Sequence, residues 1–211
     1  MAIAEKIVIV GCGPGARECL TLEALSEIEN AETLIGSARL LALFPEVKAK
    51  RVSVRGYRGE TIEAIQQHAG QRIALLVTGD PGLASLATSV IEHFGIKACR
   101  VLPGISSVQI VFARLGISWE GVRIISAHAA VPSYNIDSLA TEHAIAVLSG
   151  NAESMIWIAT LARKLGELWR IDVAQDLTLP NERICEVCAD ELEQLPQPLR
   201  AVILFRKRGK I

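Results

Sequence analysis

Residues 72–82 read RIALLVTGDPG. After Arg72 the strand-like stretch is apolar throughout, with no polar residue between Ile73 and Val77. Successive side chains of a strand point to opposite faces, so a half-solvated strand alternates polar and apolar residues. This one does not alternate. It therefore reads as a central strand of a parallel sheet covered on both faces. It empties into TGDPG (78–82), where two glycines, a carboxylate and a proline end the strand before the helical stretch 83–94. Strand, glycine-rich loop and helix form the repeating unit of an α/β fold.

The same unit recurs outward. Toward the N-terminus, KIVIV (6–10) is a buried-type strand, GCGPG (11–15) a turn, and TLEALSEIE (21–29) a helix with Leu22, Leu25 and Ile28 at helical spacing and Thr21 as its cap. TLI (33–35) and 51–54 are short strands, and 37–43 and 61–69 are helices. Toward the C-terminus, the strand 100–102 leads into PGISS (103–107) and a helix ending near Leu115-Gly116. VRIIS (122–126), AIAVL (144–148), WRIDVA (169–174) and LRAVILF (199–205) are strands, and SMIWIATLARKL (154–165) is a helix stopped by Gly166. Residues 134–139 and 190–195 form short helices or ordered loops. The alternation predicts parallel sheets covered by helices in both halves. The weakest stretch, 116–121, divides an N-terminal α/β domain (1–116) from a C-terminal one (117–211).

With 211 residues, half of them hydrophobic and 21% charged, the chain can bury a sizeable core. A net charge of -1 and a pI near 6.4 leave no basic footprint for nucleic acid. No apolar stretch approaches the ~18 residues of a membrane helix, and the short run before Gly11 belongs to a strand rather than to a secretory signal. Five cysteines, an odd number, argue against a disulfide framework. A soluble cytoplasmic protein with no nucleic-acid or membrane partner is expected.

Three loops at strand ends carry the candidate chemistry, because open α/β sheets take ligands outside the carboxyl ends of their strands. GCGPG resembles the start of a dinucleotide fingerprint, yet Ala16 stands where a third glycine is wanted and no acidic residue occupies 33–35. A tight turn would use the same residues. In TGDPG, Asp80 can cap the next helix, or the amides around Gly79 and Gly82 can hold a polar ligand edge. In PGISS, one of Ser106 and Ser107 can cap a helix while the other faces a ligand.

Cys185 and Cys188 form a CxxC, but no second pair completes a zinc site, and the pair lies at no clear strand-to-helix junction. Both read as small buried or half-buried residues, as do Cys12, Cys19 and Cys99; no metal is expected. Of the four histidines, only His128 directly follows a strand. It reads either as a ligand contact or as a hydrogen-bonded surface residue. No paired carboxylates, Ser/His/Asp set or Walker loop appear. Group transfer from an activated donor fits such a chain, since holding two reactants in line supplies much of the rate.

The three loops, in this order, resemble the tetrapyrrole methylases. LTLEALSEIENAETLIGSARLL (20–41), LPGISSVQIVFARLGISWEGVRIISAHA (102–129) and LPNERI (179–184) resemble the members that methylate C5 of a precorrin. The resemblance implies two α/β domains with a ligand cleft between them, a homodimer, and S-adenosyl-L-methionine (SAM) as methyl donor. It implies an anionic tetrapyrrole substrate, C5 methylation of (cobalt-)precorrin-7 in cobalamin biosynthesis, and a separate C15-methylating, decarboxylating partner. SAM contacts would fall at Gly79, Asp80, Pro81, Leu83, Ser106, Ser107, His128 and Ser149. Gly13, Pro14, Gly15 and Arg17 would face the substrate, with Arg55 and Arg58 behind Arg17. Asp80 and His128 are the candidates for a base, if one is needed. Two departures stand out: Ala129 replaces the usual glycine after the histidine, and Val187-Cys188 replaces a usual Gly-Thr pair. The alternatives are methylation of another position or another tetrapyrrole, an NAD(P)-dependent oxidoreductase, and a non-catalytic interaction module.

Overall fold

The computed structural model describes residues 7–128, 130–195 and 201–209. Lys6, Leu199 and Arg200, expected at strand ends, and Ala129 lie outside the described residues. The chain divides into two units, Met1–Ser106 and Ser107–Ile211.

In the first unit five strands are all parallel: β1 (Ile7–Gly11), β2 (Thr33–Gly36), β3 (Lys50–Ser53), β4 (Ile73–Val77) and β5 (Cys99–Leu102), in the order β3-β2-β4-β1-β5. Its helices are α1 (Leu22–Asn30), α2 (Ala38–Leu41), α3 (Arg58–Gln67) and α4 (Ala87–Phe94). β4 is central and every residue in it is buried. Ile73, Leu75 and Val77 pack with Ile65 of α3 and Val90 of α4. Ala74 and Leu76 pack with Ile28 of α1 and Leu41 of α2. Period-two alternation is present after all, between two apolar environments. Burying each large aliphatic side chain contributes about 1.5–3 kcal/mol, so this double covering dominates the unit's stability.

Local signals set the helix starts. Thr21 Oγ1 accepts from the Ala24 amide at 3.1 Å, and Ser37 Oγ accepts from the Leu40 amide at 3.4 Å. The helix expected from residue 83 starts only at Ala87, because Ala84 takes φ +49° and the chain stays in turns until there.

The second unit contains β6 (Arg123–Ser126), β7 (Ala144–Leu148), β8 (Trp169–Gln175), β9 (Arg183–Val187) and β10 (Ala201–Lys207), with α5 (Ser107–Leu115), α6 (Ile136–Leu139), α7 (Ala152–Leu165) and α8 (Ala189–Gln194). The strand order is β6-β7-β10-β8-β9. Here the expectation of a parallel sheet fails. Only β6 and β7 run parallel; β10 is antiparallel to β7 and β8, and β9 is antiparallel to β8. The seven residues 176–182 join β8 to β9, and so short a connection joins antiparallel neighbours, whereas a parallel crossover takes a dozen or more residues.

One face of this sheet, with Ile145, Val147, Ile171, Val173, Ile203 and Phe205, packs on α7 through Ile158 and Leu161. On β10 the alternate residues Val202 and Leu204 are also buried, and α5, with Val108, Val111 and Phe112 buried, packs on that strand. This is why α5 belongs with the second unit, ten residues ahead of the division expected after Gly116. α7 opens on a reciprocal cap, Asn151 Oδ1 accepting from the Ser154 amide (2.8 Å) and Ser154 Oγ from the Asn151 amide (3.2 Å), and closes at Gly166 with φ +71°.

Candidate functional site

In the first unit the three glycine loops form one cluster at the carboxyl edge of the sheet. Beyond the parallel pairing of β1 and β4, the Cys12 amide donates to Val77 O at 2.9 Å. Gly13 and Gly79 then exchange amide hydrogen bonds, Gly79 N to Gly13 O at 2.8 Å and Gly13 N to Gly79 O at 3.3 Å. The two glycines have φ +71° and +69°, which side chains rarely tolerate, and so the loops can turn back on each other. The helices after the two loops leave to opposite faces, α1 into one apolar cluster and α4 into the other, as at a topological switch point.

Asp80 joins the second loop to the third. Its Oδ1 accepts from the Gly82 amide at 2.8 Å and its Oδ2 from the Gly104 amide at 3.0 Å. Gly104 lies directly on Gly11: a Cβ on Gly11 would come within 2.6 Å of Gly104 N, and one on Gly104 within 2.7 Å of Gly11 C.

These bonds revise several sequence expectations. The Gly79 and Gly82 amides, read as donors to a ligand, are engaged within the cluster. Asp80 caps no helix, since α4 begins at Ala87. Its carboxylate already has two duties, which favours a role in shaping the loops over one as a base. At Gly79 the cluster leaves space beside the backbone: a Cβ there would meet nothing nearer than Ser106 Cα at 3.9 Å. Pro81 and Ser106 are buried beside it, while Leu83 and Ser107 are half-buried.

The first loop does not open α1. A 3-10 turn, Arg17–Cys19, intervenes, and α1 starts at Leu22. No helix N-terminus therefore faces Gly13, Pro14 or Gly15, and the loop lacks the dipole that holds a dinucleotide's phosphates. Arg17, the first choice for a substrate carboxylate, pairs with Glu46 at 2.5 Å, stacks over Phe44 with 5.5 Å to the ring centroid, and donates to Leu43 O at 3.5 Å. Its hydrogen bond holds the Glu46 carboxyl below the usual carboxylate range. Arg58 faces Glu92 at 3.6 Å. Burial pushes the Cys12 thiol up to about 12, so it is no nucleophile.

In the second unit, the Ala127 amide donates to Leu148 O at 2.9 Å, which sets the end of β6 beside the turn after β7. His128 is exposed, and its Nδ1 lies 3.3 Å from Ser149 O. A carbonyl can only accept, so that bond puts the proton on Nδ1 and leaves Nε2 of the neutral ring as an acceptor. Gly150 packs on this histidine; a Cβ there would lie 2.6 Å from Nδ1. The buried Ser149 hydroxyl donates to Ala201 O (3.2 Å) and accepts from the Ala201 amide (3.1 Å), tying the turn to β10.

Two further expectations change. Cys185 lies on β9 and Cys188 at the start of α8, so the CxxC does span a strand-to-helix junction; Cys185 faces the apolar core, and Cys188 is exposed rather than buried. The Cys188 amide donates to Glu191 Oε2 at 2.7 Å, so the Val187-Cys188 departure falls on the cap of α8. His68, which the sequence does not set apart, is buried at the end of α3, with Nδ1 2.8 Å from Ala64 O and Nε2 without a partner. Among the described residues no group of three or more His, Cys, Asp or Glu could hold a metal ion. None of the described helices is long and apolar enough to cross a membrane.

Gly150 escaped the sequence reading. It stands two residues after Leu148, the end of β7. That position was the available signal.

Fold and loops together define a two-unit α/β protein with a ligand-type edge on its parallel sheet. Residues 6–193 match the Tetrapyrrole (Corrin/Porphyrin) Methylases, and the chain belongs to this family. It is 31% identical over 182 residues to the cobalt-precorrin-7 C(5)-methyltransferase of Salmonella typhimurium strain LT2, covering 84% of this chain and 88% of that one. It is 41% identical over 126 residues to the probable cobalt-precorrin-7 C(5)-methyltransferase of Methanocaldococcus jannaschii, 58% of this chain and 60% of that one. The crystal structure of the precorrin-6Y methylase (cbiE) from Archaeoglobus fulgidus superposes with a TM-score of 0.73 at 27% identity, covering 97% of this chain and 99% of that one.

Proposed function

We propose that this protein is a SAM-dependent C-methyltransferase of corrin synthesis that methylates C5 of (cobalt-)precorrin-7. The geometry that carries the reading is the cluster of three glycine loops at the carboxyl edge of the first sheet, on a chain similar over most of its length to a cobalt-precorrin-7 C(5)-methyltransferase.

The open face of Gly79 fits a donor that must lie flat against backbone, and Leu83, Ser106 and Ser107 would flank it. In the second unit, His128 and Ser149 would supply the remaining contacts. SAM, when bound, supplies a methyl group on a positively charged sulfonium. The protein's task is to hold the electron-rich carbon of the macrocycle in line and to keep water out. Positioning of this kind needs no strong side-chain base and explains the absence of an acid-base set among the motifs. Where C5 must lose a proton, His128 Nε2 is the available acceptor. An oxidoreductase reading has no helix terminus at the first loop to support it. The family resemblance extends the proposal to a homodimer, which light scattering tests.

The test is calorimetric titration with S-adenosylhomocysteine, with NADH as control. Micromolar binding of the first and none of the second is expected. Failure to bind S-adenosylhomocysteine, with or without a polycarboxylate corrinoid present, would sink the assignment.

A further inference from the structure

Gly150 is a glycine for a reason outside its own backbone. Unlike Gly13, Gly79 and Gly166 it takes no positive φ, so its conformation does not call for a residue without a Cβ. What excludes a side chain there is His128. A Cβ on residue 150 would overlap His128 O and lie 2.8 Å from its Cα and 2.6 Å from its Nδ1. The ring and the backbone of the histidine both rest against the bare face of the glycine.

The turn under the histidine is pinned from two sides. On one, buried Ser149 donates its amide to Ala201 O at 3.0 Å, and its hydroxyl donates to the same carbonyl and accepts from the Ala201 amide. On the other, the amides of Gly150 and Asn151 donate to Ser154 Oγ at 3.4 and 3.2 Å, and that hydroxyl donates back to Asn151 O at 2.7 Å. β10 and α7 thus fix the turn, while His128 above it is exposed. His68 gives the contrast. Its Nδ1 also faces a carbonyl, but one of its own helix, and the whole residue is buried in the fold. A histidine that only packs has no need of exposure, and an exposed one has no need of a seat braced by two elements.

That seat also selects a proton position. An exposed neutral histidine in water carries its proton mainly on Nε2. Here Ser149 O, 3.3 Å from Nδ1, can only accept and draws the proton to Nδ1. Nε2 keeps its lone pair and makes no hydrogen bond among the described residues. We propose that the Ser149-Gly150 turn is a positioning element that holds His128 as the Nδ1–H tautomer, with Nε2 set to take the proton that C5 loses; the proposal rests on the methyltransferase reading for the reaction. As the carbon–carbon bond to the methyl forms, the carbon–sulfur pair returns to sulfur and the macrocycle gains one positive charge. The C5–H bond then breaks toward Nε2, its electron pair returns to the macrocycle, and the imidazolium passes its proton to water. Gly150 is a positioning residue that acts through His128, because a side chain there would push the ring off Ser149 O.

The first readout needs no substrate. Long-range proton–nitrogen spectra of protein carrying 15N-histidine, recorded at about pH 8 where histidine is ordinarily neutral, report which ring nitrogen holds the proton. The His128 signals are those missing from His128→Gln. The proton is expected on Nδ1 in wild type and is expected to shift toward Nε2 in Gly150→Ala. Ser154→Ala, which loosens the turn without filling the space beside the ring, should shift it the same way, and serves if far-UV circular dichroism shows that Gly150→Ala does not fold. The second readout is single-turnover methyl transfer to cobalt-precorrin-7 at saturating SAM. His128→Gln should slow it roughly a hundredfold or more, the usual worth of a placed proton acceptor, and Gly150→Ala roughly tenfold or more. Added to His128→Gln, Gly150→Ala should cost no more than about twofold further, since its effect runs through the ring that is already gone. A wild-type proton on Nε2, or a Gly150→Ala loss as large without His128 as with it, overturns the proposal and leaves the methyltransferase reading standing. Wild-type protein that holds the proton on Nδ1 and loses it in the turn variants, but binds no S-adenosylhomocysteine, upholds the seat for His128 and overturns the methyltransferase reading.

Discussion

At the scale of single residues, Asp80 and Cys188 make opposite points about side-chain chemistry. Asp80 invites a catalytic reading because it is a carboxylate in a ligand-type loop, yet both its oxygens accept backbone amides. Asp80→Asn therefore keeps size but turns an acceptor into an NH2 group facing one of two donors. We expect Asp80→Asn to cost nearly as much stability as Asp80→Ala, about 1–3 kcal/mol by urea denaturation, with S-adenosylhomocysteine affinity falling in both. An Asp80→Asn variant as stable as wild type, but with methyl transfer abolished, would return this residue to the role of base. Cys188, by contrast, is exposed at the cap of α8, where a thiol is a poor acceptor for the first amides of the helix. Cys188→Thr should raise stability by about 0.5–1 kcal/mol. In native protein at neutral pH, iodoacetamide should modify Cys188 and leave Cys12 intact, since burial keeps the Cys12 thiol protonated. Peptide mass mapping after a short exposure reads this directly.

At the scale of elements, the first unit was legible because its strands carry their environment in their composition. β4 has no polar residue from Ile73 to Val77, and a strand like that has only one place to go. The second sheet was less legible for two physical reasons. Composition does not encode strand direction, and β9 lies at the sheet edge, where RICEV leaves Arg183 and Glu186 exposed. Asp172 adds to the difficulty: it interrupts β8 in the sequence, yet it is buried in the fold because Arg170 and Arg206 both hydrogen-bond to it. The candidate site divides the same way. Glycine loops at strand ends could be read from the sequence, whereas Glu46 and Phe44, which hold Arg17, come from a segment well beyond it.

The connection between β8 and β9 also carries a pH dependence. Glu182 accepts from Arg114 Nε at 2.6 Å and from the Thr178 amide at 2.6 Å, tying the end of α5 to this connection. The Arg114 bond first, and the amide second, hold its carboxyl below 4.5. A folded value below the unfolded one means that the stabilisation is fully present above about pH 4.5 and is lost as pH falls through the folded value. Glu182→Gln should therefore be less stable than wild type at neutral pH, and the gap between their urea midpoints should close below about pH 4.5. A gap that persists unchanged in acid would show that the carboxylate charge is not what holds this connection.

At the scale of the whole molecule, ligand binding and stability are one measurement. A ligand that binds only the folded chain adds RT ln(1 + [L]/Kd), about 2.7 kcal/mol at a hundredfold excess over Kd. For a chain of this size each kcal/mol raises the midpoint of thermal unfolding by about 2–4 °C, so saturating S-adenosylhomocysteine should raise it by about 5–10 °C and NADH should not move it. Salt separates the two ligands further. S-adenosylhomocysteine is a zwitterion, and with a net charge of -1 the protein exerts little long-range pull on it, so its shift should survive added sodium chloride. A polycarboxylate corrinoid carries several negative charges, and its shift should shrink as salt screens their attraction to the protein. If both shifts respond to salt alike, the stabilisation comes from general charge neutralisation rather than from a specific seat for S-adenosylhomocysteine on the loop cluster.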